Sequence, residues 1–463
     1  LTSVVPEAVP QAAEESAVPG ARLSWWTISS YNAPTVGVGF MFLLVNIYLM
    51  KYSTDVLLVT PGAMGLIFGV SRIWDAVTDP VAGYWSDRTR TRLGRRRPWI
   101  LASILPIGLA FTMLWSPPDS LAGGALAAWM AVGVFLFYSA MTIVVVPHTS
   151  LGAELSDSYH ERTRIFGVRH LGWSLGSLAA LGAMALLITA PDARQRATGL
   201  AVAASLATAA LLVAMAIGVR ERPEYQGRGA RSPFGAFADV FRNPHARILL
   251  AVFLIESLGG ATIGILTPYI AQYIVGTPEL TPFYILLYLV PSMASVPLWV
   301  RLSRRFGKKR LWIFSMLVAG AGFGAMVFLG PGEVRLISAL AVFLGFGAGC
   351  GAVVAPSIQA DVIDFDEERT GERKEGAYFA AWNFVFKSAT GITLMLTGLI
   401  LEASGFVPNA EQPESAKLAL LGLYAVFPMA CYFLGATVLA RFGLNEEEHA
   451  RVRAALDARR RAG

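Results

Sequence analysis

The chain has 463 residues, of which 55% are hydrophobic and only 15% charged, with a mean hydropathy of +0.54. Soluble domains carry about 25% charged residues, and one soluble core of this length would need far more polar surface, so the composition excludes a soluble globular protein and implies a polytopic membrane protein. The net charge of +6 follows from where the basic loops fall and does not imply a nucleic-acid partner. Cys350 and Cys431 both lie in apolar stretches and give no disulfide framework, and five scattered histidines give no zinc spacing.

In chain order, residues 1–30 form an N-terminal tail rich in Ala, Pro and Glu near its start, without the basic and apolar regions of a signal peptide. It reads as a disordered cytoplasmic segment. Apolar runs at about 32–50, 62–86, 98–116, 121–147, 166–190 and 197–219 are each long enough to cross a bilayer, and form a first half over 31–219. Residues 220–246 are basic, polar and broken by Pro and Gly, a cytoplasmic linker with a short amphipathic helix at 234–241. Further runs at 247–275, 281–301, 311–330, 334–357, 376–402 and 416–441 form a second half over 247–441. Residues 442–463 follow, and 445–460 read as a charged amphipathic helix on the cytoplasmic surface or against the loops. The fold class is therefore all-α, with twelve transmembrane helices in two six-helix halves.

Basic residues set the orientation. The segment after the second run, DRTRTRLGRRRP, carries six arginines, and the one after the eighth, RLSRRFGKKR, carries Arg301, Arg304, Arg305, Lys308, Lys309 and Arg310. The opposite loops, at Ser116, Gly276 and Gly330, are nearly bare. Both termini are expected in the cytoplasm of a multi-pass plasma-membrane protein, in a bacterial inner membrane. GRRRPW at Gly94 and GKKRLW at Gly307 stand at equivalent places in the two sets of runs, which indicates an internal repeat.

Charges inside the spans carry the functional reading. Asp75 and Asp79, four residues apart, share one helix face one turn apart. An ionised Asp at mid-bilayer costs roughly 2.5–3.5 kcal/mol on insertion scales, so two on one face imply a cavity that binds sodium or a proton, or a structural pair neutralised by a basic group elsewhere. Arg72, one turn earlier, is placed to neutralise Asp75. Lys387, deep in an apolar run, is the natural counter-charge. Glu256 either faces a cavity from the second half or bonds a neighbouring helix.

The segment IWDAVTDPVAGYWSDRTRTRLGRRRPW, with IYLMKYSTDV, MTIVVVP, QADVIDFDEERTGERKEG and NFVFKSATG, resembles the glycoside–pentoside–hexuronide:cation symporter family, the melibiose-permease-like branch of the major facilitator superfamily. The resemblance spans both halves and implies the major facilitator fold, alternating access, and symport of a glycoside, uronide or related small organic solute with sodium or a proton. It implies a cation site of Asp75 and Asp79, assisted by Thr78 and Thr142, with Lys387 as the group that exchanges partners when the cation binds. Asp75 and Asp79 would be the metal ligands if the ion is sodium. Thr78 and Thr142 can equally be packing hydroxyls bonded to their own backbone. Arg169 matches a substrate-contacting arginine, and His148, Trp173 and Trp382 stand where cavity-lining groups are expected, although each also fits a structural or interfacial role. Two positions depart from the family pattern: Gly39 and Val145 stand where sugar-binding members keep acids, which shifts the expectation toward an acidic glycoside, another organic anion or an amphipathic solute. A lysolipid or amphiphile carrier and a non-transporting membrane sensor or interaction protein remain as alternatives. Asp87, Arg88, Asp361 and Asp364 are expected to pair with basic loops as a cytoplasmic gate. The expected partners are the solute and the lipid bilayer, with no enzyme activity, no cofactor beyond the coupling ion, no nucleic acid, and a monomeric state.

Overall fold

The computed structural model describes residues 22–156, 159–221, 240–371, 375–444 and 446–462. The start of the expected tail, most of the expected linker and all but the last two residues of the short helix expected at 234–241 lie outside the described residues. Among the described residues every regular element is helical. In chain order the helices are α1 (Trp25–Asp55), α2 (Pro61–Arg88), α3 (Arg97–Trp115), α4 (Gly123–Glu154), α5 (Tyr159–Ile188), α6 (Ala193–Gly218), α7 (Pro244–Val275), α8 (Pro278–Ala294 continued by Val296–Phe306 across a 47° bend), α9 (Lys308–Phe328), α10 (Val334–Thr370), α11 (Glu375–Ala403), α12 (Glu414–Ala440) and α13 (Glu446–Ala462). Ten are long and apolar enough to cross a bilayer, and α8 makes eleven if its bent segments form one span. The remaining span, α2, has 28 residues, about 42 Å at 1.5 Å per residue. Its apolar run is interrupted by Arg72, Asp75 and Asp79.

Local sequence explains the helix starts. Thr60 caps α2 by accepting a hydrogen bond from the Ala63 amide, with Pro61 in the first turn. Asn243 accepts from the His245 and Ala246 amides ahead of Pro244 in α7, and Asp192 accepts from the Gln195 amide of α6. Such caps satisfy amides that a helix leaves unpaired, and proline lacks the amide that would be lost. Several helices outrun their apolar segments. α10 continues to Thr370 and carries Asp361, Asp364 and Asp366 on its last turns, because only the length inside the hydrocarbon must be apolar.

The two basic loops are fastened in equivalent ways. Between α2 and α3, Arg95 and Arg96 bond Glu154 at the end of α4 at 2.7 and 3.2 Å. Glu221, just past α6, accepts the backbone amides of Arg95, Arg96 and Arg97 at 2.8, 2.9 and 2.6 Å, where an anion suits a helix N-terminus. Between α8 and α9, Lys308 bonds Asp361 of α10 at 2.6 Å, and Lys309 donates to the carbonyls of Ala440 and Phe442 at the end of α12. Each loop is thus tied to the fourth and sixth helix of its own set of six. Gly94 and Gly307 hold φ values of +105° and +79°, a region that glycine enters without a Cβ penalty.

Of the residues expected at a cytoplasmic gate, Asp87 and Asp361 pair with the basic loops, whereas Arg88 and Asp364 find other partners. Asp87 pairs with Arg96 on the neighbouring loop, and the Arg88 guanidinium sits on the Tyr84 ring. Asp361 takes Lys308, while Asp364 takes His449 at 3.2 Å and Arg453 at 3.4 Å from α13. α13 lies against α10 with Val452 and Leu456 buried. The loops are short, so their cations reach the nearest helix ends of the same half, and these pairs do not bridge the halves in this conformation.

Apart from the mid-span pairs of Lys387 with Asp75 and Asp79, the hydrogen bonds between described residues of the two halves gather on the face opposite the basic loops. There the Tyr273 hydroxyl donates to the Asp55 carboxylate, Asn409 Nδ2 donates to the Asp55 carbonyl at 2.6 Å, and Thr54 and Tyr269 hydroxyls lie 3.0 Å apart. Lys51, paired with Asp55 on α1, lies over the Tyr269 and Tyr273 rings. α2 and α11 form the most extensive contact across the halves. Small residues permit it: a Cβ on Gly65 would stand 2.9 Å from the Met395 carbonyl and 3.0 Å from the Gly398 Cα.

Candidate functional site

Four residues of spacing on an uninterrupted helix bring Asp75 and Asp79 to one face of α2, as helical geometry requires. Asp75 is 1% exposed and Asp79 is partly open. Lys387 reaches them from α11: its ammonium donates to Asp79 Oδ2 at 2.5 Å and lies 3.4 Å from Asp75 Oδ2. Thr142 of α4 donates to Asp79 Oδ1 at 2.7 Å. Arg72 holds Asp75 Oδ2 from the other side at 3.2 Å. The Thr78 hydroxyl reaches only the Asp75 backbone carbonyl, at 3.5 Å, and touches neither carboxylate.

Two residues absent from the sequence reading complete this cluster. Arg72 Nη2 donates to Asn46 Oδ1 at 2.6 Å and to the Tyr138 hydroxyl at 2.5 Å, and its guanidinium lies 4.0 Å above the Tyr138 ring. Asn46 sits in a π-helical turn of α1, Leu44–Tyr48, which turns its amide toward α2. Neither neutral side chain stands out in an apolar run, so no sequence signal marks it.

Two carboxylates and two cations make the cluster neutral, which lowers the cost of holding it inside the molecule. The Lys387 ammonium stands within reach of both acids. Asp75 Oδ1 is buried and accepts no hydrogen bond from a described residue. With Asp79 and the Thr142 hydroxyl it forms an oxygen set suited to a small hard cation, and either carboxylate can take a proton instead.

A cavity of about 500 Å³ lies beside this cluster, between α1 and helices α7, α8, α10, α11 and α12. Asn46 lines it and also bonds Arg72, which connects the two places physically. Trp382 lines the same cavity, stacked on Phe253 at 3.7 Å, and Glu256 faces it from α7.

The structure does not bring Arg169, His148 and Trp173 to this cavity. They line a pinched cleft of about 10 Å³ within the first half, room for about one water. His148 is buried, stacked on Tyr31 at 4.3 Å, with Nε2 2.8 Å from the Tyr31 carbonyl. Arg169 donates to the Thr149 hydroxyl at 2.9 Å. Val145 lines the cleft, and Gly39 is pressed against the Trp173 backbone, where a Cβ would stand 2.6 Å from the carbonyl oxygen. In this conformation position 39 has no room for a larger side chain.

Comparison with known proteins sets this geometry in context. A family described as MFS/sugar transport protein matches residues 30–446. The isoprimeverose transporter of Lactiplantibacillus pentosus is 27% identical, the alignment covering 96% of this chain and 93% of that protein. A sodium-dependent lysophosphatidylcholine symporter of Xenopus tropicalis is 24% identical, over 89% of this chain and 86% of its own. Among solved structures, a D-xylose–proton symporter superposes with a TM-score of 0.66 at 13% identity, covering 91% of this chain and 98% of that one, a likeness of fold.

Proposed function

Because the chain belongs to the MFS/sugar transport protein family, we propose that it is a cation-coupled symporter working by alternating access, which carries a glycoside or related small organic solute. The observation that carries this reading is the position of Lys387, 2.5 Å from Asp79 and 3.4 Å from Asp75, on a helix of the opposite half. A sodium ion or proton that neutralises Asp79 removes the partner that holds Lys387. Charge occupancy on α2 is thereby tied to the contact between halves, and binding at one place biases the equilibrium felt at the other. Asn46, shared by the Arg72 cluster and the large cavity, supports the same coupling from the solute side.

The basic loops face the cytoplasm of a bacterial inner membrane, by the positive-inside rule, with both termini on that side. The conformation is then inward-facing, since the inter-half bonds other than those of Lys387 lie on the outer face. The protein acts as a monomer, each chain holding its own cation and solute places. The apolar part of the cavity wall, Phe42, Ile47, Ile265 and Phe386 among it, favours a second reading in which the solute is an amphiphile such as a lysolipid.

Purified protein in liposomes tests the proposal. An imposed sodium or proton gradient is expected to drive solute uptake, and Asp79→Asn is expected to abolish that dependence while leaving slow downhill exchange. Uptake by Asp79→Asn that still tracks the gradient would remove the cation site from α2. Uptake of lysophosphatidylcholine in preference to any glycoside would select the second reading.

A further inference from the structure

The large cavity holds one acid with no counter-charge. Glu256 on α7 receives a single hydrogen bond, from Trp312 Nε1 to Oε1 at 3.3 Å. Among the described residues no basic side chain lies within ion-pair distance of it, and its second oxygen has no protein donor. Gly351 on α10 leaves the space it occupies: a Cβ there would stand 2.9 Å from Oε1. Asp75 and Asp79, by contrast, are neutralised by Arg72 and Lys387. A carboxylate left single in a low-dielectric cavity needs donors from elsewhere.

The rest of the wall suits a particular donor. Tyr288 from α8 and Tyr432 from α12 line the cavity, and no described residue takes a hydrogen bond from either hydroxyl. Phe253 stacks on one face of Trp382, nearly parallel at 18° and 3.7 Å between centroids, so the two rings form a stack on the same wall and leave the other Trp382 face for a ligand. A volume of about 500 Å³ admits a mono- or disaccharide. The cleft near Arg169 in the first half has neither the volume nor a carboxylate.

We infer that Glu256 anchors the hydroxyl groups of a neutral glycoside whose apolar ring face rests on Trp382, so that the second half of the molecule supplies the solute's polar recognition. The carboxylate accepts from adjacent hydroxyls in two directions, and the two phenols can donate to or accept from the remainder. An anionic sugar would bring a like charge to Glu256, which disfavours it. This assignment rests on the symporter reading for its physiological sense, but the site itself is a matter of binding.

Calorimetric titration of the protein in lipid nanodiscs decides it, with isoprimeverose, p-nitrophenyl β-D-glucopyranoside, p-nitrophenyl β-D-glucuronide and choline as probes. The neutral glycosides are expected to bind at least tenfold more tightly than the glucuronide or choline. Glu256→Gln is expected to weaken glycoside binding at least tenfold and to narrow the gap to the glucuronide. Gly351→Ala, which crowds the carboxylate without removing it, should weaken glycosides in the same direction. Folding of each variant is read from its sodium- or pH-dependent melting shift, which runs through Asp79. Glycoside affinity unchanged in Glu256→Gln overturns the inference, as does tightest binding of the glucuronide or of choline, or binding of none of the four by the unmodified chain. Failure of an ion gradient to drive flux would instead overturn the symporter reading and leave the binding comparison standing.

Discussion

Lys387 shows how much a single residue carries here. Its ammonium serves two carboxylates at once, and both it and Asp79 remain partly open, at 28% and 29% exposure. Replacing it by methionine keeps the bulk and removes the charge, leaving Asp79 with only the Thr142 hydroxyl. Breaking a buried ion pair by removing one partner costs roughly 3–5 kcal/mol, and partial exposure puts Lys387→Met at the lower end. Melting in ion-free buffer at neutral pH is expected to fall accordingly. Added sodium or acidification should restore part of the loss, because either one neutralises the orphaned acid. A melting temperature equal to that of the parent, or one indifferent to both additions, would remove Lys387 from the charge balance. Asp75, Asp79 and Lys387 were legible in the sequence because the bilayer makes every charge costly and therefore conspicuous. Asn46 and Tyr138 were not, since a neutral polar residue in an apolar run looks like packing until its partner arrives from another helix. In this conformation Arg169, His148 and Trp173 do not share a cavity with Trp382. Spacing along α4 and α5 does not say how far either helix is rotated from the interface between halves.

At the scale of elements, the internal repeat could be read from two short loops, and the structure explains why those loops match. Each is tied to the fourth and sixth helix of its half, through Glu154 and Glu221 in one and through Asp361 and the end of α12 in the other. The α2–α11 crossing was not legible, because contacts between small residues leave only glycines in the sequence, and glycines have many uses. Gly65 and Gly398 meet there almost backbone to backbone. Gly65→Val would push the Met395 carbonyl and Gly398 away, an overpacking that costs about 1–3 kcal/mol, and would do so on the face closed in this structure. It is expected to raise the population open on that face. With Cys350 and Cys431 replaced, a cysteine at Ile47, which lines the large cavity, reports this. Labelling by an impermeant maleimide added on the face opposite the basic loops should rise several-fold. Unchanged labelling would mean that this crossing does not hold that face shut.

For the molecule as a whole, the question is what sets the balance between its two faces. Lys51 and Asp55 pair within α1, four residues apart, so that pair survives any motion of one half against the other. The bonds that must break when the opposite face opens are the inter-half ones: Tyr273 to the Asp55 carboxylate, Asn409 to the Asp55 carbonyl, the Thr54–Tyr269 contact, and the Gly62 amide to the Glu402 carboxylate at 2.6 Å. An intrahelical ion pair near a span end reads in sequence as an ordinary solvated helix end, and its role as a latch is visible only once α7 and the α11–α12 loop come over it. Tyr273→Phe removes the hydrogen bond to the charged Asp55 acceptor, together with the one its hydroxyl accepts from the Asn409 amide at 3.1 Å within the same half, and keeps the ring beneath Lys51. The bond to Asp55 contributes about 1.5–3 kcal/mol, and of the two it alone exists only in the conformation closed on that face. Its loss therefore shifts the two-state ratio toward the other conformation by about tenfold or more, without exposing a lone charge. Spin-label distances across the α1 and α7 ends should show a longer component growing in Tyr273→Phe, while melting falls by no more than the two lost bonds account for. If the distance distribution matches that of the parent, the latch lies elsewhere, and the Lys387 cluster alone sets the balance between the faces.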